Sequence, residues 1–153
     1  MAGLIKEAPV NVVVVAHGDM GVELVRSLHM IMGAAPGVFA VSLSPEESIE
    51  DLERAVKETI TKGLAAYDGA YTIVFVDMFG GSCANVAAKA AADLDPERII
   101  VIAGVNLPMV LDAVINRDIL DFPDLVRKAV EAGNRSIMDM SDLVRGITRK
   151  NKR

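Results

Sequence analysis

Four short runs of β-branched and aliphatic residues, each followed by a stretch of helical periodicity, constrain this chain more than any other feature. Val10–Ala16 (VNVVVVA), Val38–Leu43, Ala70–Val76 and Ile99–Ala103 are apolar at consecutive rather than alternate positions, as suits strands covered on both faces. After the first, Asp19–Met32 carries Met20, Leu24, Leu28 and Ile31 at three- and four-residue steps and stops near Gly33. After the second, Ser44-Pro45-Glu46-Glu47 offers an N-cap, a first-turn proline and two acids for the positive helix end. The helix expected there runs to about Tyr67, with Ile49, Leu52, Val56 and Ile60 on one stripe. An Ala-rich helix follows from Ser82 to about Leu94, then one from Asn106 to about Arg117 with Pro108 in its first turn, then Phe122–Ala132. A short strand is expected near Ser136–Met140. This succession predicts an α/β fold, a doubly wound parallel sheet wrapped by helices on both faces.

With 153 residues the chain has room for one domain, and residues 10–140 carry it, between an N-terminal extension (1–9) and a basic tail (141–153). Hydrophobic residues make up 52%, but aromatics only 4% and Trp none, so the core must be aliphatic. The single Cys83 excludes an intrachain disulfide and any cysteine cage for zinc or iron–sulfur, and two histidines, His17 and His29, are few for a histidine-rich metal site. No cofactor or metal is expected. The net charge is −5 from 16 basic and 21 acidic residues. Five basic residues (Arg145, Arg149, Lys150, Lys152, Arg153) and no acidic ones lie in the last nine positions, and 16 less 5 leaves 11 against 21, a charge of −10 on the rest of the chain. Such a body repels a phosphate backbone, so no nucleic-acid partner is expected. The N-terminus shows no secretory pattern, and Ser27–Pro45, the longest uncharged stretch, is broken by Gly33, Pro36 and Gly37. The expectation is a cytoplasmic protein that meets a membrane only through partners.

Right-handed crossovers place the carboxyl ends of all parallel strands on one edge, where ligands bind in such sheets. Three loops then matter: Ala16-His17-Gly18-Asp19, Asp77-Met78-Phe79-Gly80-Gly81-Ser82 and Gly104-Val105-Asn106-Leu107-Pro108. If the first and third strands are neighbours, His17 and Asp77 come within reach of each other. A carboxylate beside an imidazole fixes one tautomer and makes the other ring nitrogen the better nucleophile. Gly18 leaves that nitrogen uncrowded. Gly80 and Gly81 allow close backbone approach, and Ser82 opens a helix whose free N–H groups favour a dianion. The expected chemistry is a transient phosphohistidine on His17. His29, mid-helix beside Leu28 and Met30, reads as structural. No G-x-x-x-x-G-K-[ST] or G-x-G-x-x-G follows a strand, so the phosphoryl group must come from another protein rather than a bound nucleotide.

The segments AHGDMGVEL, VDMFGGSCANVAA and AGVNLPMVLDAV, in this order and spacing, resemble the IIA component of the mannose-type sugar phosphotransferase system over roughly Val10 to Arg135. The resemblance implies a flavodoxin-like sheet of order 2-1-3-4 and a homodimer that exchanges a last strand, which would suit Ser136–Met140. It implies that His17 takes a phosphoryl group from the histidine phosphocarrier protein and passes it to a IIB component. That component phosphorylates sugar entering through membrane IIC and IID subunits. On the same basis Asp77 orients His17, and Ser82 helps hold the phosphate.

Two departures stand out. Cys83 occupies a position that is usually proline in that family, and a thiol at a helix N-terminus can have a lowered pKa and redox sensitivity. The basic tail is the other. Other readings remain open at the sequence level. The phosphohistidine could serve regulation instead of transport, or donate to a dihydroxyacetone kinase. A tetrapyrrole chelatase shares His-Gly after a first strand but needs a second metal-binding histidine, for which His29 is badly placed. A phosphohistidine phosphatase would want Arg where Ala16 stands.

Overall fold

Val12, Val13, Val14 and Val15 are all fully buried, and that run explains the layering. Successive strand residues face opposite ways, so Val12 and Val14 enter one core while Val13 and Val15 enter another. They belong to β1 (Val10–His17), which lies between β2 (Val38–Leu43) and β3 (Tyr71–Val76), with β4 (Ile99–Ala103) beyond β3. All three pairings are parallel, giving the order β2-β1-β3-β4 that the resemblance implied. The computed structural model describes residues 9–66, 68–141 and 143–145. Residues 1–8 of the N-terminal extension, Tyr67 at the expected helix end, and Arg149, Lys150, Lys152 and Arg153 of the basic tail lie outside the described residues.

Helices α1 (Met20–Met32), α4 (Leu107–Asn116) and α5 (Phe122–Arg135) cover one face of the sheet, and α2 (Ile49–Ala65) and α3 (Ser82–Leu94) the other. Ile73 and Phe75 from β3, with Leu28 and Leu125, fill the first core; Leu52, Val56 and Ile60 fill the second. Each such side chain contributes about 1.5–3 kcal/mol by leaving water. Tyr71 stacks on Phe122 with ring centroids 4.3 Å apart, tying β3 to α5. Among the described residues no helix is long and apolar enough to cross a membrane.

Three expectations need correction. On α1 only Leu28 of the expected stripe is fully buried, while Met20 and Ile31 are exposed; Gly21 and Val25 take the inner positions instead. A Cβ on Gly21 would lie 3.3 Å from Val14 Cγ1, so the missing side chain draws the helix onto β1 and rotates the apolar stripe. Second, α2 starts at Ile49, not at Ser44. Ser44 N–H donates to Glu47 Oε2 at 2.9 Å, half of a capping box, but Glu47 N–H goes to the Ser44 backbone carbonyl at 3.2 Å instead of to Oγ, which closes only a turn. The helix is capped by Ser48, whose Oγ accepts from Asp51 N–H at 3.1 Å. Third, the strand expected at Ser136–Met140 is absent: Ser136 is the C-cap of α5 and residues 137–140 are irregular. A strand needs a neighbour for its N–H and C=O groups, and among the described residues none lies there.

Candidate functional site

His17 is the last residue of β1 and Asp77 the first after β3, and the register pairs Val15 with Val76, so both leave the sheet at the same edge. The His17 ring Nδ1 lies 2.6 Å from Asp77 Oδ2, and the same oxygen accepts the His17 backbone N–H at 2.9 Å. Asp77 Oδ1 accepts the Met78 N–H at 2.8 Å. The carboxylate is thus held by its own loop and by the backbone of the residue it orients. Its side chain is 10% exposed against 45% for the imidazole. Burial pushes the Asp77 carboxyl up, but the His17 N–H, the His17 ring and the Met78 N–H outweigh it and hold the group below its ordinary value. An ionised carboxylate only accepts, so Nδ1 carries the proton and Nε2 presents its lone pair outward.

The surrounding backbone keeps Nε2 open. Gly18 (φ +55°) and Gly80 (φ +78°) occupy left-handed conformations that suit glycine, turning the chain sharply on either side of the imidazole. Gly81 is the N-cap of α3 and makes no side-chain cap; a Cβ there would sit 3.4 Å from His17 Cε1. Ser82 is the first residue of α3, so the unpaired N–H groups of that first turn open beside the ring. A cleft of about 380 Å³ lies next to His17, walled by Leu43, Ser44, Pro45 and Ile49. This β2–α2 loop was not among the three loops singled out from the sequence, although a strand order with β2 beside β1 is the signal that would have found it. The third of those loops plays a different part. Asn106 caps α4 by accepting Met109 N–H at 3.1 Å and donates to Gly133 O at 3.3 Å, while Gly104 and Val105 N–H groups close on Val76 O.

Cys83 corrects the expectation of a reactive thiol. It is fully buried, and burial together with the Asp77 charge pushes the thiol up to about 11. Its Sγ nevertheless lies 3.6 Å from His17 Nδ1, a contact the sequence gave no reason to expect. The donor atoms of His17, Asp77 and Cys83 all fall within 4.8 Å of one another.

A family profile described as the fructose IIA component of the phosphotransferase system matches residues 11–130. The chain belongs to this IIA family. The mannose-specific EIIAB component of Escherichia coli K12 is 33% identical over 126 residues, 81% of this chain but 37% of that protein. The chain thus spans about a third of the length of the first of its curated relatives. The fructose-specific EIIA component of Bacillus subtilis is 32% identical over 118 residues, covering 76% of this chain and 77% of the relative. Among solved structures, the EIIA component from Streptococcus agalactiae superposes with a TM-score of 0.75 at 25% identity, covering 87% of this chain and 98% of that one. The IIA family and the α/β fold with sheet order 2-1-3-4 therefore agree. The family profile spans both loops that hold His17 and Asp77.

Proposed function

We propose that this IIA chain is a phosphoryl carrier of a sugar phosphotransferase system, phosphorylated on Nε2 of His17. The observation that carries this reading is the 2.6 Å contact of Nδ1 with a largely covered, ionised carboxylate, which leaves Nε2 of a half-exposed ring as the nucleophilic nitrogen. The donor is the phosphohistidine of the histidine phosphocarrier protein and the acceptor a IIB component, both met in the cytoplasm. Transfer is an in-line displacement: the Nε2 lone pair forms the new N–P bond as the donor nitrogen takes back its pair. Asp77 stabilises the positive charge that the ring acquires. Gly18, Gly80, Gly81 and Ser82 supply room and N–H groups for the dianion.

A homodimer that exchanges residues near Ser136–Met140 accompanies this reading. Ile137, Met138 and Met140 are exposed, and β4 is an edge strand with apolar side chains. The decisive experiment incubates the chain with phosphoenolpyruvate, enzyme I and the phosphocarrier, then maps the product. An acid-labile phosphoryl group on His17 is expected; label on any other residue, or none, would sink the proposal.

A further inference from the structure

The thiol under the imidazole completes a set of three donors of different chemistry. Sγ of Cys83, a ring nitrogen of His17 and a carboxylate oxygen of Asp77 converge within 4.8 Å, fixed by α3, β1 and the β3–α3 loop respectively. In a tetrahedral zinc shell, Zn–S of about 2.3 Å and Zn–N of about 2.0–2.1 Å put sulfur and nitrogen about 3.6 Å apart. Sγ and Nδ1 already stand at 3.6 Å. The Nδ1–Oδ2 separation of 2.6 Å, set by the proton between them, would have to open to about 3.4 Å once a cation replaces that proton. Three protein donors and one water would complete a tetrahedral shell.

We propose that His17, Asp77 and Cys83 form a reversible inhibitory site for a thiophilic divalent cation of the zinc class. The exchange balances. The cation takes the Nδ1 lone pair, the ring proton passes from Nδ1 to Nε2 through solvent, and the Cys83 thiol releases its proton to water. Asp77 is already ionised. One proton is released per cation, and the local charge goes from −1 to zero. Soft sulfur selects zinc-like cations over Mg2+ or Ca2+, which prefer all-oxygen shells. Burial of the thiol opposes its ionisation, so occupancy requires a cation that deprotonates a ligating thiol outright. The consequence is a tautomer switch: with Nδ1 on the metal, Nε2 carries the proton and has no lone pair for phosphorus. That consequence for phosphoryl transfer rests on the reading of His17 given above, whereas the site itself does not.

The test begins with Co2+ titrated into the full chain. Cys83 is the only cysteine, so a sulfur-to-cobalt charge-transfer band reports it alone. The band is expected with the wild type, is displaced by Zn2+ and not by Mg2+, and is missing from Cys83→Ser and Cys83→Ala. Zn2+ should also move the His17 proton from Nδ1 to Nε2 in 15N NMR spectra. Pre-phosphorylated, purified phosphocarrier then serves as donor, each variant being compared with itself. At Zn2+ about ten times its dissociation constant, the wild-type initial rate should fall to about one-tenth, and the Cys83→Ser rate should not change. Absence of the band in the wild type, or an unprotonated Nε2 in the zinc-bound chain, overturns the site. Undiminished labelling of zinc-bound wild type overturns the inhibition. If the metal-free chain takes no label at all, the phosphoryl-carrier reading fails, and the cobalt and NMR measurements still decide this one.

Discussion

Two groups of charges in this molecule have opposite characters. On the outer surface of α2 and α3, Lys57 reaches Glu53 and Asp93 at 2.7 Å each, and Lys89 reaches Asp93 at 3.0 Å and also pairs with Glu53. Hydrogen bonds among the four raise both lysines and lower both carboxyls, each sign answered by two partners at a surface that water still reaches. At the sheet edge the His17–Asp77 pair is lopsided: the carboxylate is almost withdrawn from solvent and its partner is half in it. The first group can exchange any member for water and keep its balance. The second cannot, because Asp77 has surrendered water for two backbone N–H groups and one ring nitrogen. Asymmetry of burial, rather than the number of charges, is what marks the reactive pair.

The comparison breaks most sharply at the imidazole. His17→Ala should abolish labelling by phosphorylated carrier, with circular dichroism unchanged because the ring is half exposed and fills no core. Asp77→Asn should come next. An amide in that place can turn its NH2 toward the ring, making Nδ1 the acceptor and leaving the proton on Nε2, the wrong tautomer for attack. The labelling rate should drop on the order of 10²-fold or more, and a rate within a factor of about two of the wild type would remove Asp77 from the mechanism.

How much of this was readable beforehand follows the same division. The pairing of His17 with Asp77 came from strand order alone, since two residues 60 positions apart meet only if β1 and β3 are neighbours. The buried strands were plain because their apolar runs are continuous. The start of α2 was not, because Ser44–Glu47 and Ser48–Asp51 carry competing cap chemistry and only packing of Leu52 selects between them. The inner stripe of α1 was misread because a glycine, Gly21, holds the closest approach to the sheet, and hydrophobicity patterns count glycine as nothing. Cys83 was placed at a helix N-terminus correctly and given the wrong chemistry. Position along a helix is local, whereas burial between α3 and β1 is tertiary.

Alkaline pH sharpens the picture of the site's interior. The Cys83 thiol ionises near 11 in the folded chain and near 9 in the unfolded one, so between those values the folded state holds the extra proton. Stability contributed by the neutral thiol is complete below about pH 9 and lost as pH rises toward 11, a decline of about 2 kcal/mol. Urea midpoints measured across that window should fall, and the slope should flatten in Cys83→Ser. A smaller change is expected from Gly80→Ala. The left-handed turn at Gly80 leaves open space for a methyl group, so only backbone strain of about 1 kcal/mol opposes it. Thermal unfolding should register that loss. Transfer should slow along with it if the loop relaxes away from Nε2.

The smallest effect belongs to the outer network. Glu53→Gln removes the carboxylate that Lys57 and Lys89 share, and both lysines retain Asp93 and contact with water, Lys89 more than the partly covered Lys57. Exposed pairs of this kind give little net stability because solvent replaces whatever is taken away. Salt already screens them within a Debye length of about 8 Å at physiological strength. Labelling of His17 should therefore proceed at the wild-type rate, and the denaturation midpoint should barely move, less still in high salt. A Glu53→Gln variant that slowed transfer would mean that α3 relays the state of its outer face to its N-terminus beside the imidazole. The two groups of charge would then be coupled through one helix, and the contrast between them would have to be redrawn.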